Sequence, residues 1–98
     1  MATTTLVEVP GATRALYDRV NRELGIGPGR LPEGLVAHYA TVNDDGITIF
    51  DVWKSREAFE RYAAKAAPVI ARVAGAQAAS EPKLGELVNA LHAARATV

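Results

Sequence analysis

The segment from Leu35 to Lys54 constrains the fold more than any other part of this chain. Two largely apolar runs, residues 35–42 and 47–54, flank Asn43-Asp44-Asp45-Gly46. Asp-Gly between such runs signals a hairpin, because both residues tolerate positive φ. A hairpin with one wet face alternates apolar and polar side chains. Here only His38, Thr41, Thr48, Asp51 and Lys54 interrupt the apolar character. Both faces of this hairpin therefore need cover.

The flanking segments supply candidates for that cover. Residues 5–9 (Thr-Leu-Val-Glu-Val) are rich in β-branched side chains and stop at Pro10-Gly11, which predicts a strand. Over 13–24 the period changes to that of a helix. Leu16, Val20 and Leu24 recur every four residues beside Tyr17, and the charged residues occupy the remaining face. Thr13 is a capping residue and Gly25 a stop. Residues 25–34 hold Gly25, Gly27, Gly29, Gly34, Pro28 and Pro32 and read as a loop. Their Gly-x-Gly-x-Gly run follows no strand and opens no helix, so it is not a phosphate cradle.

After the hairpin, Ser55 caps a second helix with Glu57 in its first turn. Phe59, Tyr62, Ala63, Ala66, Val69, Ile70 and Val73 keep helical spacing, and Gly75 ends it. Pro68 lacks a backbone donor and is expected to kink or restart this helix. Residues 76–83 read as a loop. Residues 84–94 suit a helix by propensity, or a strand if Leu87–Leu91 joins the sheet.

The order β-α-β-β-α-β is the split arrangement of α+β ferredoxin-like folds: a four-stranded antiparallel sheet with two helices on one face. Residues 1–98 are expected to form this single domain. A bare second face on an apolar hairpin predicts a homodimer with its sheets packed together. Composition points the same way. The chain is 49% hydrophobic, but 19 residues are Ala, so large core side chains are scarce.

Eleven basic and eleven acidic residues give zero formal charge, which argues against non-specific nucleic-acid binding. The absence of Cys excludes disulfides, thiolate nucleophiles and zinc–cysteine sites. No apolar run reaches the roughly 20 residues of a membrane span. Residues 1–5 place no basic group before an apolar run, so no signal peptide and a cytoplasmic location are expected. Two histidines, His38 and His92, do not make a metal-ligand spacing, and no metal is expected.

Three residues of the hairpin carry potential chemistry. His38 is a candidate general base, a haem ligand, or a hydrogen-bonded core histidine. Asp51 shares a strand face with Ile49 and Trp53. It either orients His38 from the adjacent strand, forming a base–orienter pair, or pairs with an arginine such as Arg14. Trp53, the only Trp, stacks on a flat ligand or fills the core.

The motifs Gly34-Leu-Val-Ala-His38, Asp45-Gly46, Asp51-Val-Trp-Lys-Ser55 and Glu57-Ala-Phe59 resemble the dimeric α/β-barrel superfamily. Within it they are similar to the antibiotic-biosynthesis-monooxygenase-like proteins. Pro10-Gly11, Thr13 and Tyr17 fit the same template. The resemblance implies a small cavity between sheet and helices. It implies oxidation of polycyclic aromatic phenols by molecular oxygen without metal or flavin, or haem degradation in other members. Trp53 matches the family's strand Trp. Ile49 and Phe59 stand where a polar amide and a tyrosine hydroxyl would help hold a substrate. On this basis His38 and Asp51 are the candidate catalytic pair, and Trp53, Tyr17, Tyr62 and Phe59 the candidate substrate-binding residues. The expected ligand is an aromatic or apolar small molecule, and no cofactor is required. The alternative expectations are a non-catalytic dimeric binding module and a haem protein.

Overall fold

The computed structural model describes residues 2–75 and 80–93. The elements are β1 (Thr3–Pro10), α1 (Arg14–Leu24), β2 (Leu35–Asn43), β3 (Gly46–Trp53), α2 (Arg56–Ala74) and β4 (Lys83–Glu86). The sheet runs β2-β3-β1-β4 with every neighbouring pair antiparallel. This is the α+β, ferredoxin-like β-α-β-β-α-β architecture.

The hairpin sets the register of the sheet. From Asn43 opposite Gly46, the pairing places His38 opposite Asp51 and Tyr39 opposite Phe50. Across β1 the same rows continue, with Asp51 opposite Thr5 and Phe50 opposite Leu6. Side chains alternate between faces along each strand. His38, Asp51, Trp53 and Thr5 therefore share one face, and Tyr39, Phe50 and Leu6 share the other. Near Leu35 the register slips by one residue, so Val36 bulges out of the ladder. Tyr17 of α1 meets His38, and Phe59 and Tyr62 of α2 pack on Trp53, so both helices cover the first face.

The turn differs from the expected Asp-Gly geometry. Its loop residues are Asp44 and Asp45, and neither has positive φ. The Asn43 side-chain oxygen holds the turn instead, accepting from the Asp45 and Gly46 amides at 2.8 and 3.1 Å. Gly46 is needed for another reason: at φ +141 a Cβ there would run into the Val9 carbonyl of β1.

Both helices begin as their sequences indicate. Thr13 accepts from the Leu16 amide and Ser55 from the Ala58 amide. Gly25 closes α1 in the left-handed region. Small residues bring α2 close to the sheet, with Ala58 and Ala66 both buried. Pro68 does not restart α2, which runs unbroken to Ala74. Pro68 and Ala64, whose carbonyl loses its donor, are both exposed, so water can replace that bond.

The last element is a strand, but it lies earlier than residues 87–91. Lys83–Glu86 pairs with Thr3–Leu6, and residues 87–93 form neither helix nor strand. Gly85 favours this register, because a Cβ there would come within 2.8 Å of the Thr4 hydroxyl. Residues 76–79, half of the loop expected over 76–83, and residue 94 lie outside the described residues. Among the described residues no helix is long and apolar enough to cross a membrane.

Candidate functional site

The register of the hairpin builds a polar chain on the helix-covered face. His38 Nδ1 lies 2.5 Å from Asp51 Oδ1, directly across the ladder. The other ring nitrogen, Nε2, lies 2.5 Å from the Tyr17 hydroxyl. An ionised carboxylate only accepts, so Nδ1–H donates to Asp51. Nε2 then carries the lone pair and accepts from the Tyr17 O–H. The Tyr17 and His38 rings are also nearly parallel, 10° apart with centroids at 6.0 Å. The His38 side chain is 28% exposed and that of Asp51 13%.

Asp51 does not pair with Arg14, which instead pairs with Asp18 one turn along α1. His38 presents no free nitrogen, since both are hydrogen bonded. Ligation of a haem iron would require one of these bonds to break.

Trp53 lies beside the chain but faces inward. It is 1% exposed, and its Nε1–H donates to Thr5 Oγ1 at 3.2 Å. Phe59 meets it edge-on at 5.8 Å, and Tyr62 lies tilted over it at 5.2 Å. Thus Trp53 supports both Phe59 and Tyr62, and Tyr62 also lines open space. Burial pushes the Tyr62 phenol up to about 12, and the nearby Asp51 and Tyr17 reinforce the shift. Tyr62 therefore remains a protonated donor throughout the neutral range.

Two openings adjoin this group. The larger is a cleft of about 300 Å³ between the loop after α1 and α2, with Tyr62 in its wall. The smaller, about 70 Å³, is lined by Tyr17 and by aliphatic side chains including Leu16, Val20, Ile49 and Ile70. Only the first is large enough for a multi-ring molecule, as ligand sites of this kind start near roughly 300 Å³.

The structure thus brings together Tyr17, His38, Asp51 and Tyr62, and sets Trp53 and Phe59 behind them. The sequence offers two partners for Asp51, His38 or an arginine, and the structure selects His38; nothing in the sequence joins Tyr17 to the imidazole. That contact spans the packing of α1 on the sheet, which has no local sequence signal. Thr5 was also missed as the partner of Trp53. Its signal is the β1–β3 register, which needs the strand pairing to be known.

No protein-family model matches the chain, and no curated protein matches it by sequence. Solved structures do match it over nearly its full length. A proposed antibiotic biosynthesis monooxygenase from Chloroflexus aurantiacus J-10-fl is 18% identical, with a TM-score of 0.65 over 94% of this chain and 98% of that one. SnoaB, a cofactor-independent oxygenase from Streptomyces nogalater, is 20% identical, with a TM-score of 0.63 over 92% and 95%. The ActVA-Orf6 monooxygenase of Streptomyces coelicolor, in complex with nanaomycin D, is 13% identical, with a TM-score of 0.64 over 95% and 93%. The chain has the fold of the antibiotic-biosynthesis-monooxygenase proteins, as its motifs imply.

Proposed function

We propose that this protein is a cofactor-independent monooxygenase, or a closely related small-molecule enzyme, acting on an aromatic or apolar substrate. The observation that carries the reading is the continuous Asp51–His38–Tyr17 chain. In this role Tyr17 meets the substrate, His38 stores the proton, and Asp51 holds the imidazole in the required tautomer. The Tyr17 oxygen takes a proton from an acidic C–H or O–H of the substrate as its own proton passes to Nε2. Asp51 stabilises the resulting imidazolium. The substrate anion then supplies electrons to dioxygen. A CH₂ carbon becomes a carbonyl with one oxygen atom, and the other leaves as water with the two hydrogens. His38 returns its stored proton to that water. The small aliphatic space beside Tyr17 suits an apolar diatomic reactant.

Oxygen uptake over a panel of polycyclic phenols tests this reading. Tyr17→Phe and His38→Gln are each expected to lower turnover about 100-fold, the usual scale of a lost acid–base group. Undiminished turnover in both variants would sink it. If no phenol is consumed but phenols bind, the alternative of a non-catalytic binding module is favoured. Apolar Ile49 beside Asp51 is the observation that supports that alternative.

The reading includes a homodimer formed through the uncovered sheet face. Tyr39, Phe50 and Leu6 make an apolar row there, with Tyr39 53% exposed. Val88 and Leu91, just beyond β4, are also largely exposed. Light scattering at micromolar concentration is expected to give twice the chain mass, and Phe50→Lys the single-chain mass. A wild-type monomer would overturn this part.

A further inference from the structure

The larger cleft carries a charge pattern that the acid–base chain does not explain. Arg61 and Lys65 project from α2 at the same spacing as Ala58 and Tyr62, so all four form one stripe along the cleft wall. Arg30 comes to the cleft from the opposite side, on the loop after α1. That loop is not slack at this point. Gly27 and Arg30 exchange two backbone hydrogen bonds, of 3.1 and 2.8 Å, around Pro28 and Gly29. Proline followed by a glycine at φ +75 is the sequence and geometry of a tight turn, so Arg30 is held at the lip.

Among the described residues none of these three cations makes an ion pair. Like charges one helical turn apart destabilise a helix, so Arg61 and Lys65 favour an anion between them. One carboxylate, Glu33, lines the cleft, which leaves an excess of two positive charges. The C-terminal end of α1 also borders the cleft, but its Asn21 and Arg22 carbonyls are satisfied by the Ile26 and Gly25 amides. The dipole at this helix end, roughly half a negative charge, offsets only part of the positive excess.

We infer that this cleft binds the anionic end of the substrate, a carboxylate on an aromatic ring system, with Arg30, Arg61 and Lys65 around the carboxylate and the ring against Tyr62. This deepens the enzymatic reading above and rests on it for the word substrate. It adds that the molecule enters over α2 and is oriented by charge, with its uncharged end towards Tyr17. The protonated Tyr62 phenol, a donor and not a competing anion, fits such an occupant.

The test is binding, so it does not depend on turnover. The probes are 2-naphthoate, the neutral 2-naphthalenemethanol and 2-naphthyl phosphate, titrated into the full chain by calorimetry with backbone amide NMR to locate each. Naphthoate is expected to bind at least tenfold more tightly than the alcohol and to shift amides of residues 24–33 and 58–65. The double variant Arg61→Gln/Lys65→Gln is expected to weaken naphthoate about tenfold and leave the alcohol unchanged. Arg30→Gln, on a separate element, should do the same to a smaller extent. Equal binding of naphthoate and alcohol, shifts confined to another surface, or insensitivity to all three substitutions would overturn the inference. Phosphate binding more than tenfold tighter than naphthoate would overturn the carboxylate assignment. Charge-selective binding without turnover would therefore break the catalytic reading alone, and turnover without charge selectivity would break only this inference.

Discussion

The Thr5–Trp53 pair and the Tyr17–His38–Asp51 chain lie side by side on the helix-covered face, yet water reaches only one of them. Thr5 and Trp53 are each 1% exposed, whereas the His38 side chain is 28% exposed. The first pair seals the end of the sheet where α2 begins. The second is partly open to water at His38, and its Tyr17 borders the small aliphatic opening. Both satisfy their polar atoms, and no buried side-chain nitrogen or oxygen among the described residues lacks a partner. Satisfaction therefore does not separate a structural polar group from a reactive one here. Access does, together with the presence of a group able to exchange protons.

The largest expected effect falls on the sealed side. Trp53→Ala removes the biggest buried side chain and the support for Phe59 and Tyr62. A cavity of this kind costs about 3–5 kcal/mol. Urea denaturation should show that loss, and in a small Ala-rich core the variant is expected to be close to unfolding. A loss under about 1 kcal/mol would mean that Trp53 is not the anchor of this end.

Tyr62 joins the two regions, and its expected effect is next in size. Its phenol is raised from 10 to about 12 by burial first, then by Asp51 and Tyr17. The folded state thus holds this proton more tightly than the unfolded chain. The associated stability is fully present below pH 10 and is lost as the pH rises towards 12, by about 2–3 kcal/mol for a shift of this size. Ultraviolet titration should show the Tyr62 phenol ionising near pH 12. Tyr62→Phe should remove both that step and its share of the alkaline destabilisation. A Tyr62 phenol ionising near its ordinary value of 10 would place that side chain in water.

Thr5→Val probes the sealed pair more gently. The shape is conserved, but the Trp53 N–H loses its acceptor where no water can replace it. The expected loss is about 1–2 kcal/mol by denaturation, within the usual range for an unpaired buried donor. A neutral result would mean that the indole N–H reaches another acceptor.

The difference between the regions also explains what the sequence made legible. The element order and the two caps follow from local patterns, whereas His38 opposite Asp51 depends on the turn being Asp44-Asp45 and not the Asp45-Gly46 that the sequence suggests. Val36 was not legible as a bulge, because one extra residue near Leu35 leaves the apolar run unchanged. Nor was β4, since Lys83-Leu-Gly-Glu86 lacks β-branched residues and is selected by the free edge of β1. Tyr17 was legible as a ring on the helix stripe, but its hydroxyl partner depends on how α1 lies across the sheet. Arg30, Arg61 and Lys65 carry no sequence signal of their own, because only the loop turn and the α2 stripe together bring them to one cleft.

The smallest expected effect falls on the open chain and is the sharpest test of the comparison. Tyr17→Phe removes one hydroxyl and leaves His38 Nε2 without its donor. Because the His38 side chain is partly exposed, water can take the place of the phenol, and the stability lost should stay below about 1 kcal/mol. The same substitution is expected to lower turnover by two orders of magnitude, a far larger free-energy effect on the reaction than on the fold. That asymmetry distinguishes a proton-handling group from a structural one. If Tyr17→Phe instead destabilised the fold as much as Thr5→Val or more, the two polar groupings would be the same kind of feature. The Asp51–His38–Tyr17 chain would then belong to the packing of α1 on the sheet rather than to the chemistry.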